Sequence, residues 1–444
     1  MTAPTLIVAA PQSGSGKTLL TLGLIRALAR RGLKVGSFKV GPDYIDPAFH
    51  ARASGQSCRN LDSWAMRFET LAALLEDAGR DVDIVVGEGV MGLFDGAPDG
   101  SGSTADIAAL FDLPVVLVAE ARRINQSIAA LLEGFIGFRQ DVEVVGIVLN
   151  AVAGERHAAT LLKACDERFS TPVLGWLPRH DELVVPSRHL GLVQAAEHPA
   201  LDELIERLGS LVAERLDLDR LLRLARRPGV AGLGGQGARP IAALGQRIAV
   251  AQDTAFAFAY PAVLEGWRRQ GAEIVPFSPL ADEAPDPAAD AIYLPGGYPE
   301  LYAGRLAANR QFLLGLQAAA YRDVFIYGEC GGYMALGEVL IDAAGERHRL
   351  AELLPVVTSF EAPKLRLGYR EVTLLGPSPL GRPPLRYRGH EFHYAREVEQ
   401  RGVPFLRASD ASGRQLGEAG CRLGTVAGSF IHLVDRWPHL VVVR

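Results

Sequence analysis

A glycine-rich loop near the start of the chain has the residue types that bind nucleotide phosphates. The loop, AAPQSGSGKT, runs from Ala9 to Thr18, between a β-branched run and a helical pattern. In such a loop, backbone N–H groups contact phosphate oxygens, a lysine reaches the terminal phosphates, and a threonine hydroxyl coordinates magnesium. We therefore predict ATP binding by Ser13, Gly14, Ser15, Gly16, Lys17 and Thr18.

The loop departs from the strict phosphate-binding pattern at one position. Pro11 stands where the pattern requires its first glycine, while the later glycines, the lysine and the threonine are in place. A glycine turn that only packs a helix on a strand is the competing interpretation. The strand before the loop, together with Lys17 and Thr18, favours the nucleotide site.

Phosphoryl transfer also needs carboxylates at the metal, and two loops offer them. Asp43 and Asp46 in KVGPDYIDP follow the second predicted strand, and Glu88 and Asp95 in GEGVMGLFDG follow the third. The C-terminal ends of neighbouring parallel strands meet at one edge of a sheet, so Asp43 and Glu88 are predicted to lie beside the phosphates. Lys39, on the same rim, is a candidate ligand for a phosphate or a substrate carboxylate.

A cysteine in the second half has the surroundings of a nucleophile. The predicted strand DVFIYG runs into ECGG, which contains Cys330, and then into the helical pattern YMALGEVL. Such a turn lifts the cysteine above the sheet and aims the helix N-terminus at it, which is expected to lower the pKa of the thiol. A buried structural cysteine is the alternative. It suits Cys58, Cys165 and Cys421 but leaves the glycines beside Cys330 unexplained.

A cysteine that transfers an acyl group also needs a base and an oxyanion hole. His432 in SFIHL follows a strand near the end of the chain and is the predicted base, with His390 and His393 in GHEFHYA as rivals. The turn PGGY, which ends the strand AIYL, offers backbone amides. We predict that Gly297 and Gly331 donate to the oxyanion.

The elements that must position these residues form two α/β halves. Short β-branched runs alternate with helical patterns up to about Pro178, which is typical of a parallel sheet, and a second α/β rhythm begins at Arg247. Between the halves lies a stretch rich in Gly, Pro and Arg. The predicted organisation is a P-loop parallel-sheet domain over 1–225, a linker over 226–246 and an α/β domain over 247–444.

The composition excludes several classes of partner. The chain has 444 residues, of which 48% are hydrophobic, and a net charge of −5 with no basic patch, which argues against nucleic acid. No apolar run approaches the roughly 20 residues that span a bilayer. Four separated cysteines and a start without signal-peptide features predict a reducing, cytoplasmic location. Small molecules are therefore the expected partners, and a homodimer stays open.

Several longer motifs carry a family resemblance over nearly the whole chain. The motifs are SGSGKT, KVGPDYIDP, CRNLD, GEGVMGLFDG, PSRHLGL, PGGYPE, GECGGYMAL and GHEFHY. Together they resemble the cobyrinate or hydrogenobyrinate a,c-diamide synthases of cobalamin biosynthesis. The resemblance implies an N-terminal fold similar to dethiobiotin synthetase and a C-terminal class I glutamine amidotransferase of the triad type. For PSRHLGL, Pro186–Leu192, it gives no physical role.

The resemblance also implies roles for individual residues. Lys17 and Thr18 would bind ATP and Mg²⁺, with Asp43 and Glu88 completing the metal shell. Asn150 and the stretch Gly175–Pro178 would contact the adenine. The corrinoid site would be lined by Asp43, Tyr44, Ile45, Asp46 and Asp95, and Tyr44 and Ile45 would influence which carboxylate is chosen.

The mechanism implied by the two sites is amidation through an acyl phosphate. ATP would phosphorylate an acetate carboxylate of the corrin ring, while Cys330 and His432 release ammonia from glutamine. Two rounds would give the a,c-diamide. One position departs from the family pattern, because triad amidotransferases usually carry a glutamate two residues after the histidine and this chain has Val434. The third triad member is therefore absent or comes from elsewhere.

Alternatives remain at this stage. The Ala- and Arg-rich composition favours metal-free hydrogenobyrinate over cobyrinate. Cobyric acid synthase shares the architecture, but the motif KVGPDYIDP argues against it. Amidation of a nucleotide, as in CTP synthase, should come with the glutamate that Val434 replaces. A partition-type ATPase switch with a vestigial glutaminase half is the alternative from another class.

Overall fold

The structure, a computed structural model, describes residues 2–179, 187–188, 191–192, 194–229 and 237–438. These residues form two compact units. Unit 1 contains Met1–Trp64 and Leu71–Gln236, and unit 2 contains Ala65–Thr70 and Gly237–Arg444. Most of Pro186–Leu192 and the part of the predicted linker at 230–236 lie outside the described residues.

Unit 1 is built on a parallel sheet. Its strands are β1 (Thr5–Ala9), β2 (Val35–Val40), β3 (Arg59–Leu61), β4 (Ile84–Glu88), β5 (Val115–Glu120), β6 (Val144–Val152) and β7 (Val173–Pro178), and the short β8 (Ser187–Arg188) and β9 (Gly191–Leu192) pair separately. The sheet order is β3-β2-β4-β1-β5-β6-β7, with parallel neighbours throughout. The central strands are buried along their length, as expected for a parallel sheet covered on both faces.

The helices of unit 1 alternate with these strands. They are α1 (Lys17–Arg30), α2 (Asp46–Ser54), α3 (Phe68–Ala78), α4 (Thr104–Phe111), α5 (Ser127–Gly137), α6 (Glu155–Asp166), α7 (Leu201–Arg215) and α8 (Leu218–Leu224). Helix α1 begins directly after Gly16, whose φ is 92°. The first residues of α3 belong to unit 2 and the rest to unit 1.

The strand register brings the predicted phosphate-site residues to one edge of the sheet. Glu88, the last residue of β4, pairs with Val8 of β1 on one side and with Lys39 of β2 on the other. The phosphate loop follows β1 directly, so it starts beside Glu88. The CRNLD motif contributes β3, a short strand that the sequence analysis did not predict.

Unit 2 contains three further sheets. Its strands are β10 (Arg247–Ala251), β11 (Glu273–Phe277), β12 (Ala291–Leu294), β13 (Phe325–Glu329), β14 (Val339–Ile341), β15 (Arg347–Arg349), β16 (Val356–Ser359), β17 (Arg366–Leu374), β18 (Arg386–His393), β19 (Arg396–Gln400), β20 (Leu406–Asp410), β21 (Gln415–Ala419), β22 (Cys421–Leu423), β23 (Val426–Ser429) and β24 (His432–Trp437). The main sheet has the order β11-β10-β12-β13-β23-β22 and is parallel except for β22.

Helices accompany the parallel part of unit 2. They are α9 (Pro261–Arg269), α10 (Ala303–Ala308), α11 (Arg310–Tyr321) and α12 (Gly331–Leu336). The other two sheets have the orders β15-β14-β16-β19 and β21-β20-β17-β18-β24, and the second is antiparallel throughout. The α/β class predicted for this half is found, but these largely antiparallel sheets were not anticipated from the sequence.

A short segment of the N-terminal half packs with the C-terminal half. Residues Ala65–Thr70 belong to unit 2, although the sequence analysis placed them within 1–225. Arg67 donates to Asp435 through its backbone N–H at 2.9 Å and through its guanidinium Nη2 at 2.8 Å. Among the described helices, none has both the length and the apolar character needed to cross a membrane.

Two candidate active sites

The phosphate loop of unit 1 is closed by contacts of its own lysine. Lys17 Nζ donates to the carbonyl oxygen of Gln12 at 3.2 Å and also to that of Met91. Burial, followed by the nearby charge of Lys39, lowers the pKa of Lys17 to about 8. A polyphosphate in the loop would favour the charged lysine, so nucleotide binding and lysine protonation are expected to support each other.

Asn150 lies against the same loop. Its side-chain Nδ2 donates to the carbonyl oxygen of Ser15 at 2.9 Å. A Cβ atom at Gly16 would come within 2.2 Å of that nitrogen, so only glycine allows the approach. Asn150 therefore braces the phosphate loop from β6, a contact that the sequence did not predict. The adenine role of Asn150 and of Gly175–Pro178 in β7 stays a prediction.

Glu88 is the centre of the polar contacts in unit 1. Its Oε1 accepts the Thr18 hydroxyl at 2.7 Å and Lys39 Nζ at 2.7 Å. Its Oε2 lies 2.6 Å from His50 Nε2. Burial alone would raise the pKa of this carboxyl, but Lys39 and His50 hold it well below its usual range. Glu88 is therefore an anion at neutral pH and is joined directly to the predicted magnesium ligand Thr18.

Lys39 pairs with two buried carboxylates, and its contact with a phosphate or a substrate carboxylate stays a prediction. Its Nζ donates to both Asp46 and Glu88, and the residue is only 4% exposed. Burial opposes the charge on Lys39, yet the two carboxylates raise its pKa above the usual range. Burial and Asp43 raise the pKa of Asp46 to about 7, although Lys39 lowers it. In this structure Lys39 neutralises two buried acids and does not extend towards solvent.

The predicted corrinoid residues differ in accessibility. Asp43 uses its Oδ1 to accept the backbone N–H groups of Ile45 and Asp46, at 2.7 and 3.0 Å. Asn60 of β3 holds the same loop by donating to the carbonyl oxygens of Gly41 and Asp43. Ile45 is 7% exposed. A direct contact with a bound macrocycle is thus harder for Ile45 than for the half-buried Asp43.

Two further predicted substrate residues lie closer to solvent. Tyr44 is half-buried and Asp95 is exposed. Asp95 Oδ2 accepts the backbone N–H of Gly92 at 2.9 Å, which fixes the turn after β4. Of the substrate residues predicted from sequence, Asp95 is therefore the most accessible to a ligand from solution, and Tyr44 and Asp43 are half-buried.

His50 and Cys58 extend the Glu88 cluster, and the sequence analysis missed both. His50 is fully buried, with its Nε2 on Glu88 and its Nδ1 3.5 Å from Cys58 Sγ. Burial opposes a charge on this ring, but Cys58 and Glu88 together raise its pKa to about 10. His50 lies in α2, four residues after Asp46, so the helical spacing that places both on one face was the available signal.

The oxygen donors of this cluster suit a magnesium ion. The Thr18 hydroxyl and the Glu88 carboxylate are hydrogen-bonded to each other, and both are the hard ligands that Mg²⁺ takes alongside nucleotide phosphates. Asp43 lies on the neighbouring loop with one oxygen engaged by backbone N–H groups. Thr18, Glu88 and Asp43 are thus the residues that would hold the ion.

Cys330 of unit 2 forms the predicted strand-to-helix elbow. It stands between the last residue of β13 and the first residue of α12, with φ 48° and ψ −102°. Non-glycine residues rarely adopt a positive φ, and such strain is found mainly at functional positions. The expected lowering of the thiol pKa is wrong for this structure. Burial raises it above the usual range, and the six-residue helix and the Gly331 N–H do not offset that effect.

His432 and Cys330 border the same narrow gap. A Cβ atom at Gly296 would lie 3.3 Å from Cys330 Cβ, 3.3 Å from His432 Nε2 and 2.4 Å from His432 Cε1. Because Gly296 has no side chain, space is left between Cys330 and the imidazole of His432. Of the three histidines considered from sequence, His432 is the one that faces this gap with a ring nitrogen.

The other two histidines have different surroundings. His390 Nε2 lies 2.8 Å from the hydroxyl of Tyr260, and its ring stacks on that of His432 with centroids 4.9 Å apart. His393 stacks on Phe430. Burial lowers the pKa of His432 well below its usual value, and the charges of His390 and His393 lower it further. His432 is therefore neutral at pH 7 and able to accept a proton.

The two predicted oxyanion glycines face each other. A Cβ atom at Gly331 would lie 2.9 Å from the backbone nitrogen of Gly297. A Cβ at Gly297 would come within 2.0 Å of the carbonyl oxygen of Ala255, so that position also requires glycine. The sequence analysis gave no role to Glu329, which directly precedes Cys330 and is almost completely buried.

Comparison with known proteins identifies both halves of the chain. Residues 6–193 match the family described as the CobQ/CobB/MinD/ParA nucleotide binding domain. Residues 247–436 match the CobB/CobQ-like glutamine amidotransferase domain. The first match contains the phosphate loop and Glu88, and the second contains Cys330 and His432.

Whole-length relatives are also found. A protein from Brucella abortus biovar 1 (strain 9-941) is 53% identical over 433 residues, which cover 97% of this chain and 98% of the relative. Proteins from Rhodobacter capsulatus and Rhizobium meliloti (strain 1021) are 50% identical, covering 97% of this chain and 98% and 99% of their own lengths. All three carry the name hydrogenobyrinate a,c-diamide synthase.

Proposed function

The chain belongs to the hydrogenobyrinate a,c-diamide synthase family, and from that membership we propose that it amidates the a and c acetate carboxylates of hydrogenobyrinate with ammonia from glutamine, at the expense of ATP. The observation that carries the proposal is the presence of two sites in one chain. One has the Lys17–Thr18–Glu88 arrangement of a phosphate site, and the other has the Cys330–His432 pair of a glutaminase.

The first reaction activates the carboxylate. An acetate oxygen of the ring attacks the terminal phosphorus of ATP, ADP leaves, and the acyl phosphate that forms has a much better leaving group than a carboxylate. Lys17 neutralises charge on the transferred phosphoryl group, and the phosphate loop fixes its position. Thr18, Glu88 and Asp43 would hold Mg²⁺, which when bound supplies charge neutralisation at the phosphates.

Around that reaction, the remaining residues position the substrate. Asn150 keeps the phosphate loop in place, and Lys39 keeps Asp46 and Glu88 together. Tyr44 and Asp95 line the ring site, with Asp43 and Ile45 shaping the loop behind them. This assignment predicts that Tyr44 affects which acetate is chosen more than Ile45 does.

The second reaction releases ammonia. Cys330 passes its thiol proton to His432 Nε2 as the sulfur attacks the glutamine side-chain carbonyl, and the backbone amides of Gly297 and Gly331 stabilise the oxyanion. The C–N bond then breaks as His432 returns the proton to the leaving nitrogen. Water hydrolyses the thioester to glutamate. The ammonia attacks the carbonyl carbon of the acyl phosphate, the amide C–N bond forms, and phosphate leaves with one of the original carboxylate oxygens. Each amide formed therefore consumes one ATP and one glutamine, and the a,c-diamide consumes two of each.

A direct test is mass spectrometry of separate incubations with hydrogenobyrinate and cobyrinate, each with ATP, magnesium and glutamine. We expect a gain of two amide groups on hydrogenobyrinate. A gain on cobyrinate alone would reassign the substrate to the cobalt-containing ring, and no gain on either ring would overturn the proposal. The acyl phosphate is checked with isotopically labelled carboxylate oxygen, which should appear in the released phosphate. The proposal includes a cytoplasmic location, where ATP and glutamine are supplied.

A further inference from the structure

Glu329 is a buried carboxylate that the reaction described above does not use. It is the last residue of β13, directly before Cys330, and is 3% exposed. A carboxylate removed from water is costly unless partners satisfy its oxygens. A hydrophobic residue at this position in the sheet would avoid that cost, so the burial of Glu329 requires specific partners.

Three donors hold the Glu329 carboxylate in place. Tyr293 donates its hydroxyl to Oε2 at 2.8 Å, and Tyr327 donates its hydroxyl to Oε1 at 3.0 Å. The backbone N–H of Leu433 donates to Oε1 at 3.1 Å. Hydrogen bonds from three donors favour the ionised form of a carboxyl and fix its orientation. Leu433 directly follows His432, so one of these bonds ties the acid to the strand that carries the base.

The fixed carboxylate faces the nitrogen of His432 that lies away from the nucleophile. Glu329 Oε2 is 3.8 Å from His432 Nδ1, while His432 Nε2 borders the gap beside Cys330. The imidazole therefore stands between an acid and a thiol, with one ring nitrogen towards each. This is the arrangement by which a third residue orients a catalytic histidine and stabilises its charged form.

We propose that Glu329 is the positioning acid of the glutaminase site, in the role that triad amidotransferases usually give to a glutamate two residues after the histidine. At that usual position this chain has Val434, which is buried and has no ionisable group. The inference rests on the glutaminase reaction proposed above and deepens it, because it supplies the third member that the sequence left unassigned.

The chemical step is a proton transfer with a balanced charge. When Cys330 gives its proton to Nε2, His432 becomes an imidazolium whose Nδ1–H is directed towards Glu329 Oε2. The carboxylate stabilises that cation electrostatically, and the proton stays on His432 until it moves to the departing ammonia. A resting separation of 3.8 Å is longer than a hydrogen bond. Such catalytic contacts commonly shorten once substrate is bound.

The ionisation of Glu329 gives the proposal a pH signature. Burial raises the pKa of Glu329 to about 7, against the hydrogen bonds from Tyr293, Leu433 N–H and Tyr327, which lower it. The groups facing it are neutral near that pH, since the tyrosine and Cys330 pKa values are raised and the His432 pKa is lowered. Below about pH 7, Glu329 takes up a proton and can no longer stabilise the imidazolium. Glutaminase activity should therefore rise through this pH, well above the titration of His432.

The test uses the full-length enzyme with Glu329→Gln. We expect kcat for glutamine hydrolysis to fall on the order of 100-fold with little change in KM, and the acid limb near pH 7 to disappear. Amidation supported by an ammonium salt should keep its rate, because it bypasses the glutaminase site. Glu329→Asp keeps the charge and should recover part of the loss. Glu397→Gln is the matched control, since Glu397 also accepts a tyrosine hydroxyl, that of Tyr333 at 2.7 Å.

Two results would overturn the proposal. One is Glu329→Gln with the parent kcat and pH profile. If Glu329→Gln fails to fold, the second result comes from Tyr293→Phe. This variant removes one hydrogen-bond donor to Glu329 and keeps the carboxylate. Loss of that bond should raise the pKa of Glu329 and move the acid limb to higher pH, and an unmoved limb counts against the role. Failure of the proposed function would look different, because the parent enzyme would then form no diamide from either nitrogen source.

Discussion

At the scale of single residues, the glutaminase pair is a neutral thiol beside a neutral imidazole. Burial raises the pKa of Cys330 and lowers that of His432, so neither carries a charge before substrate arrives. A preformed thiolate would react with many electrophiles, whereas a neutral pair becomes reactive only as the proton moves. The space into which the glutamine amide must enter is then decisive for activity.

Gly296 controls that space. In Gly296→Ala the new methyl group would lie 2.4 Å from His432 Cε1 and 3.3 Å from Cys330 Cβ, which forces the base and nucleophile apart. We expect glutamine-dependent amidation to fall by about 100-fold or more, as displacements of about 1 Å commonly do. Ammonium-dependent amidation should persist. The control is Gly304→Ala, where the nearest atom is 3.6 Å away, and equal losses in both variants would contradict the explanation.

His50 offers a second prediction at this scale. It binds Glu88 Oε2 and thereby fixes the carboxylate that would hold the metal with Thr18. Loss of such an outer partner typically costs 10- to 100-fold in metal affinity or activity, so we expect roughly that effect for His50→Gln. A magnesium titration of ammonium-dependent amidation measures it.

The matched control for His50 is His157→Gln in the same unit. His157 Nε2 lies 2.9 Å from the carbonyl oxygen of Ile124, and its Nδ1 accepts the backbone N–H of Ala153 at 3.1 Å, so both ring nitrogens face backbone groups. We expect its magnesium dependence to match that of the parent enzyme. Equal magnesium curves for His50→Gln and the parent would show that Glu88 is positioned without His50.

At the scale of elements, the segment Ala65–Thr70 is held by an ion pair with a buried partner. Asp435 is 0% exposed and accepts from the backbone and guanidinium of Arg67. In Arg67→Ala the carboxylate stays buried without its cation, which typically costs about 3–5 kcal/mol of unfolding free energy. Urea denaturation measures the loss of unfolding free energy, and hydrogen exchange of the β24 amides shows whether it is felt at that strand.

A surface pair provides the comparison for Arg67. Arg52 and Asp202 form a similar bidentate contact, but their side chains are 60% and 66% exposed. Exposed pairs contribute little because water and salt screen them. We therefore expect Arg52→Ala to leave the urea midpoint nearly unchanged. A loss as large as that in Arg67→Ala would mean that burial of Asp435 is not the cause.

The elements also show which features sequence could predict. The phosphate loop, helix α1 and the Cys330 elbow were predictable because each depends on a few consecutive residues with distinctive types. Glu329 and His50 lie inside or beside recognised motifs, yet their roles arise from contacts with His432 and Glu88, which are distant in sequence. Glu329 has no helical or strand period linking it to the histidine, so only the folded chain shows the pair.

Pairing between remote strands was equally beyond sequence reasoning. Strand β17 begins with two exposed residues, continues with half-buried ones and ends on a buried one, and nothing local determines that it pairs with β18 and β20. The contact between Arg67 and Asp435 spans 368 residues. Two charged residues that far apart in sequence form no local pattern from which their contact could be predicted. For this reason the domain boundary predicted at residue 225 did not include the assignment of Ala65–Thr70 to unit 2.

At the scale of the whole molecule, the segment Ala65–Thr70 predicts that one substitution shifts the urea midpoint in opposite directions in a fragment and in the full chain. A fragment starting at Gly237 contains Asp435 but lacks Arg67, so the buried carboxylate has lost its cation. We expect Asp435→Asn to raise the urea midpoint of that fragment. In the full chain, the same substitution removes the partner of Arg67 and should lower it. A shift of the same sign in both proteins would contradict the role given to the pair.

The same segment is synthesised long before the residue that it pairs with. Arg67 is made 368 residues before Asp435, and at roughly 5–20 residues per second the interval is on the order of 20–70 s. For that time the nascent chain carries Ala65–Thr70 without its later partner. Strand β24 carries both His432 and Asp435. A nascent chain that stops before residue 432 would therefore lack the base and would also leave Arg67 without its buried partner.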